Sequence, residues 1–163
     1  MYIGIDPGYA KETAIAWTEN KKKIKHSLIS VDKSLTSKDT RDLKKHAKAV
    51  YDFITKEITI SNDKDTIIGI EGQFFGRNVG MVLELVEFRS LIVGMLYIKY
   101  PKARVYTILP NSWQSFVLHP PRGTKSLEMK ELSKIAAKNL TGEVCKEDES
   151  DAINILKYII EKF

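Results

Sequence analysis

Three hydrophobic patterns follow one another along this chain of 163 residues. The first is strand-like. Tyr2-Ile3-Gly4-Ile5 is an apolar run closed by Asp6 and the turn-forming pair Pro7-Gly8. Thr13 to Trp17 is a second short run. Lys23 to Val31 alternates, with Ile24, His26, Leu28 and Ser30 on one side, and follows a turn at Glu19 to Lys22. Together these predict a meander of three antiparallel strands. The period then becomes helical. Leu43, Ala47, Val50 and Ile54 recur at three- and four-residue intervals behind a cap at Asp39 or Thr40, with Lys44, Lys45 and Lys48 turned outward.

Thr66 to Glu71 is a continuous apolar run and reads as a central strand. Asn78 to Tyr100 reads as a long helix whose apolar residues, among them Val79, Val82, Leu83, Val86, Leu91, Ile92, Met95 and Leu96, cover more than one stripe. Such a helix is buried on two sides, one against a sheet and the other against a further cover such as a second subunit. Arg104 to Leu109 predicts a fifth strand, Asn111 to Val117 a short helix and His119 to Gly123 a loop. Ser126 to Asn139 predicts a basic helix closed by Gly142, and Asp151 to Phe163 a last helix with Ala152, Leu156, Ile159 and Phe163 inward. Strands and helices in this order make an α/β layered domain, and the length suits one domain over residues 1–163.

Composition narrows this picture. One cysteine, Cys145, excludes an internal disulfide and suits a reducing, cytoplasmic setting. No apolar stretch approaches the roughly 18 residues that a membrane helix needs, and no signal-like segment opens the chain. Net charge is +5, unevenly spread: Lys99 to Lys138 holds eight basic residues and two acids. A basic surface of that kind suits a polyanion, although a solvated helix face accounts equally well for a lone basic run.

The acids carry the chemistry. Asp6 and Glu71 each close an apolar strand, and in open α/β sheets sites gather at the carboxyl ends of strands. Parallel neighbours would bring the two together. Glu147 to Asp151 supplies Asp148 and Asp151 at i, i+3, a shared face if that turn is helical. Taken alone, that pair reads as helix capping and Asp6 as a turn former. A glutamate closing a central strand has little structural use. Carboxylates forced together repel unless a cation neutralises them, and Mg²⁺ with its preference for oxygen ligands suits them. Two such ions about 3.5–4 Å apart can serve both the attacking and the leaving oxygen of a phosphate.

The stretches "IGIDPG", "IGIEGQFFGRNVGMVLELVEFRSLIVG" and "DESDAINI", in this order and spacing, resemble the RuvC family of Holliday-junction resolvases within the RNase H-like superfamily. The resemblance spans the chain and implies a five-stranded mixed sheet of order 3-2-1-4-5 with helices on both faces. It implies that Asp6, Glu71, Asp148 and Asp151 are catalytic and bind two Mg²⁺ ions, with Mn²⁺ able to substitute. Some relatives have histidine where Asp148 stands. It implies a homodimer joined through helix 78–100 that cuts opposed strands of a four-way DNA junction. Phe74 matches an aromatic that stacks on bases at the crossover, with Arg77 and Asn78 beside it. The stretch from Arg122 to Lys138 matches a basic loop and helix along the DNA, with Arg122, Lys125, Lys130 and Lys134 as phosphate contacts. Pro7-Gly8 would leave room for the backbone to approach DNA. The segment "HPPRGTKSLEMK" departs from the family pattern, and the short, Lys- and Ile-rich chain suits a phage-type or low-GC bacterial member.

Three other readings compete. An RNase H-type ribonuclease shares the scaffold, but neither the greasy helix 78–100 nor Phe74 serves it. An actin-like or sugar-kinase fold begins with a similar strand but needs two such domains. A non-cleaving junction-binding protein would have no use for four acids.

Overall fold

The computed structural model describes residues 1–8, 12–30, 40–72 and 79–163. Strands β1 (Tyr2–Asp6), β2 (Glu12–Thr18), β3 (Lys25–Ser30), β4 (Ile67–Glu71) and β5 (Arg104–Ile108) form one sheet in the order β3-β2-β1-β4-β5. The first three are antiparallel, whereas β1–β4 and β4–β5 are parallel pairs. The expected mixed order 3-2-1-4-5 is therefore present.

Side chains of a strand alternate between the two faces, and here the alternation divides the core. Ile3, Ile5, Ile68 and Ile70 point to one face, where α1 (Thr40–Glu57) and α2 (Val79–Lys99) cover them with Leu43, Ala47, Val50, Ile54, Phe88, Ile92 and Leu96. Ile67 and Ile108 belong to the other face, covered by α5 (Glu147–Lys162) with α4 (Ser126–Thr141) packed against it. Gly4 and Gly69 share that second face by parity and are partners in the β1–β4 register. A side chain at Gly4 would stand 2.5 Å from the Ala152 carbonyl oxygen and 2.6 Å from the Leu156 nitrogen of α5. At Gly69 it would meet Ile159 at 2.7 Å. The two glycines let α5 lie directly on the centre of the sheet.

Several boundaries differ from the sequence pattern. The last helix starts at Glu147, four residues before Asp151, because the polar run Glu147–Ser150 forms its first turn; the Glu149 carboxylate accepts the Lys146 backbone N–H at 3.1 Å. The expected short helix over 111–117 is two elements: α3 (Pro110–Trp113), with proline in its first turn, and a π-helical turn, Gln114–Leu118. Phe163 is 44% exposed and stacks on Tyr106 at 4.1 Å instead of entering the core. In α2 the inner stripe is buried, but Leu83 is 60% and Ile98 86% exposed, so this chain alone covers one side of the helix. No helix among the described residues is long and apolar enough to cross a membrane.

Candidate active site

Register and parity place the acids. Ile5 pairs with Ile70 across the parallel β1–β4 pair, so Asp6 and Glu71, one residue further on, end neighbouring strands at the same edge. Asp6 has the parity of Gly4, and Glu71 that of Gly69, so both belong to the face on which α5 lies. The early start of α5 puts Asp148 and Asp151 in its first turns, one helical turn apart. All four acids described from sequence thus come from three elements to one end of the sheet.

Their electrostatics show how close they come. Burial raises Asp6 well above the ordinary carboxylate value, and the negative charges of Glu71, Asp151 and Asp148 raise it further. The interaction between Asp6 and Glu71 favours the proton on Asp6, raising it and lowering Glu71. Glu71 is pushed up to about 7, first by burial; a hydrogen bond from Trp113 opposes the rise and the charge of Asp151 adds to it. Asp151 is raised to about 6 by burial, partly offset by a hydrogen bond from Ser133.

Neighbouring groups anchor two of the four carboxylates, Glu71 and Asp151. The Trp113 indole N–H donates to Glu71 Oε1 at 2.8 Å. Ser133 of α4 donates its hydroxyl to Asp151 Oδ1, and the buried amide of Asn154 donates to Ser133 Oγ at 2.9 Å and to the Ser133 carbonyl at 3.0 Å. His26 of β3 approaches Glu149 Oε1 through Nδ1 at 2.9 Å, tying the first turn of α5 to the sheet. The sequence alone did not single out these anchors. Ser133 and Asn154 had a legible signal, since each is polar at a core-facing helical position beside Ala137 or Ile153 and Ile155. Trp113 had none.

Of the expected DNA contacts, Lys130 lies nearest the acids. Its Nζ is 2.6 Å from Glu147, and it borders a cavity of about 280 Å³ shared with Gln114, Thr124, Ser126 and Asp151. Lys134 lies one turn further along α4 and pairs with Glu131 at 2.9 Å. Arg122 and Lys125 are exposed ahead of that helix. Phe74, Arg77 and Asn78 lie outside the described residues. Gly8 has a use within the chain: a side chain there would meet the Glu12 carbonyl oxygen at 2.0 Å, so the β1–β2 connection itself calls for glycine.

The donor set fits a hard divalent cation in type and charge: oxygen ligands only, partly buried, with acids crowding one another. Among the described residues, no group of three or more His, Cys, Asp or Glu is drawn into a ready-made metal cage.

Comparison with known proteins agrees with this architecture. No protein-family model matches the chain, and no curated protein sequence matches it. Among solved structures, it is similar to Thermus thermophilus RuvC in complex with a Holliday junction substrate, with a TM-score of 0.67 and 15% identity over 96% of this chain and 90% of that one. A further Thermus thermophilus RuvC structure gives a TM-score of 0.65, at the same identity and coverage. The yeast mitochondrial Holliday junction resolvase Ydc2 gives 0.56, at 13% identity over 98% of this chain and 80% of that one. At these identities the likeness establishes the RNase H-like fold.

Proposed function

We propose that this chain is a metal-dependent endonuclease that cuts four-way or otherwise branched DNA, working as a homodimer. The observation that carries the reading is the pairing of Asp6 and Glu71 on adjacent parallel strand ends beneath Asp148 and Asp151 of α5. The structural likeness to RuvC bound to a Holliday junction supports the choice of substrate. Asp6, Glu71, Asp148 and Asp151 would hold the divalent cations. When bound, Mg²⁺ supplies charge neutralisation and an activated water for phosphodiester hydrolysis.

The protein's own contribution is placement. β1 and β4 set two carboxylates at fixed register, and α5, seated on the paired glycines, sets the other two. Ser133 and Trp113 donate hydrogen bonds to Asp151 and Glu71. Lys130, beside the cavity, and Lys134, Lys125 and Arg122 beyond it would hold the phosphates of the strand that enters. Phe74, Arg77 and Asn78 would meet bases near the crossover. The uncovered side of α2, with Leu83, Tyr97 and Ile98, would join two protomers and supply two centres for paired nicks.

The decisive experiment incubates the protein with a labelled four-way junction, a matched linear duplex and an RNA–DNA hybrid, in Mg²⁺ or in EDTA. Paired Mg²⁺-dependent nicks in the junction, absent with Asp6→Asn and Glu71→Gln while those variants still bind it, are expected. Binding without cutting would indicate an architectural protein. Cutting of the hybrid alone would indicate a ribonuclease.

A further inference from the structure

We propose that Trp113 is a positioning residue for this site, its indole N–H fixing the Glu71 carboxylate in the orientation from which it helps to hold the divalent cation. The inference rests on the reading of the acids given above.

A glutamate at the end of a strand keeps its side-chain freedom unless something removes it. The indole N–H is a donor with no acceptor capacity, so it has one use beside a carboxylate. Here it lies 2.8 Å from Glu71 Oε1, the spacing of a charge-assisted hydrogen bond. The donor itself is held rigidly. Trp113 is 1% exposed and belongs to the core between the sheet and α5.

The backbone leading to it is tied to the residue it serves. Glu71 is the register partner of Ile108, the Gly72 N–H donates to the Ile108 carbonyl at 2.7 Å, and α3 begins two residues later at Pro110. Immediately after Trp113 the chain takes a π-helical turn, Gln114–Leu118. Such turns are rare and frequent at functional sites. Gln114 of that turn borders the cavity shared with Asp151, so one short segment reaches both Glu71 and the space beside Asp151. If filling space were its only task, a phenylalanine ring would serve and the N–H would not be needed.

The test uses the chain of residues 1–163, whose two tryptophans give two indole signals when labelled with ¹⁵N. Trp17, packed against Phe53 in the core on the opposite side of the sheet, is the internal control. Mg²⁺ is expected to shift the Trp113 signal, leave that of Trp17 in place, and lose its effect in Glu71→Gln. Trp113→Phe is expected to raise the Mg²⁺ concentration for half-maximal cleavage by about 10- to 100-fold, the usual cost of losing a partner that orients a metal ligand. Junction binding measured without divalent cations, in EDTA, should stay unchanged.

A Trp113 signal unmoved by Mg²⁺ would overturn the proposal. So would a Trp113→Phe protein that melts earlier but needs no more Mg²⁺ than the parent. If that variant fails to fold, the titration of the parent protein decides alone. A parent protein that cuts no branched DNA would overturn the nuclease reading, while the indole titration would still decide the role of Trp113.

Discussion

Gly4 of β1 and Gly69 of β4 face each other in register, and α5 crosses the sheet over both. This contact sets how deep the helix lies, and with it how near Asp148 and Asp151 come to Asp6 and Glu71. At Gly4 the obstructing atoms are backbone, which cannot rotate away. Gly4→Ala is therefore expected to cost about 1–3 kcal/mol in urea unfolding, the range for overpacking. It should also blunt stabilisation by Mg²⁺, because a lifted α5 moves its two acids from the other two. An unchanged Mg²⁺ response would show that the seat of α5 does not control the site.

The raised carboxylates make stability depend on pH. In the folded protein Glu71 titrates at about 7 against an ordinary 4.5, and Asp151 at about 6 against 3.8, so the folded state binds these protons more tightly. The stability they contribute is full below the ordinary values and is lost progressively as pH rises from there through the folded values of about 6 and about 7. Metal-free protein is thus expected to lose on the order of 1–3 kcal/mol through Glu71 as pH rises from its ordinary value of 4.5 to about 7, a loss that Glu71→Gln removes. Millimolar Mg²⁺ should raise the melting temperature more at pH 8 than at pH 5. Thermal melts across pH, with and without the ion, measure both effects.

Ser133 links Asn154 to Asp151, and its hydroxyl favours the ionised carboxylate. Ser133→Ala removes that donor, so Asp151 should titrate higher still and the alkaline rise of the cleavage rate should move to higher pH. It also leaves the buried amide of Asn154 without one of its two acceptors, a loss of about 1–3 kcal/mol by the usual cost of an unmet buried group. A pH–rate profile separates the two consequences, since a purely structural loss lowers the rate without moving its pH dependence.

Most of this architecture was legible because burial writes itself into periodicity. The strands beginning at Tyr2 and Ile67 are short apolar runs, each ended by an acid, and their parallel pairing brings those acids together. The start of α5 was less legible, because Glu147–Ser150 is a polar run with no apolar face, and its helical state depends on capping by Glu149 and on the hold of His26. Trp113 was invisible for another reason. Its partner, Glu71, is 42 residues away in the chain, and local pattern carries no information about a hydrogen bond across that distance. The break between α3 and the π-helical turn is equally a product of tertiary packing.

The outer side of α2 gives a test of assembly that does not depend on catalysis. A side chain at Gly94 would meet nothing within 4 Å in this chain, so packing inside the protomer does not require glycine there. If that side faced only water, Gly94→Ala should stabilise the protein by up to about 1 kcal/mol through helix propensity alone. If a second copy approaches closely at Gly94, the added methyl group should instead weaken self-association. Charges at the exposed apolar residues, as in Leu83→Lys or Ile98→Lys, should abolish association in the same way. Light scattering across a concentration series reads the assembly state, and urea unfolding reads the stability. A dimer that survives both lysines would place the partner elsewhere on the molecule.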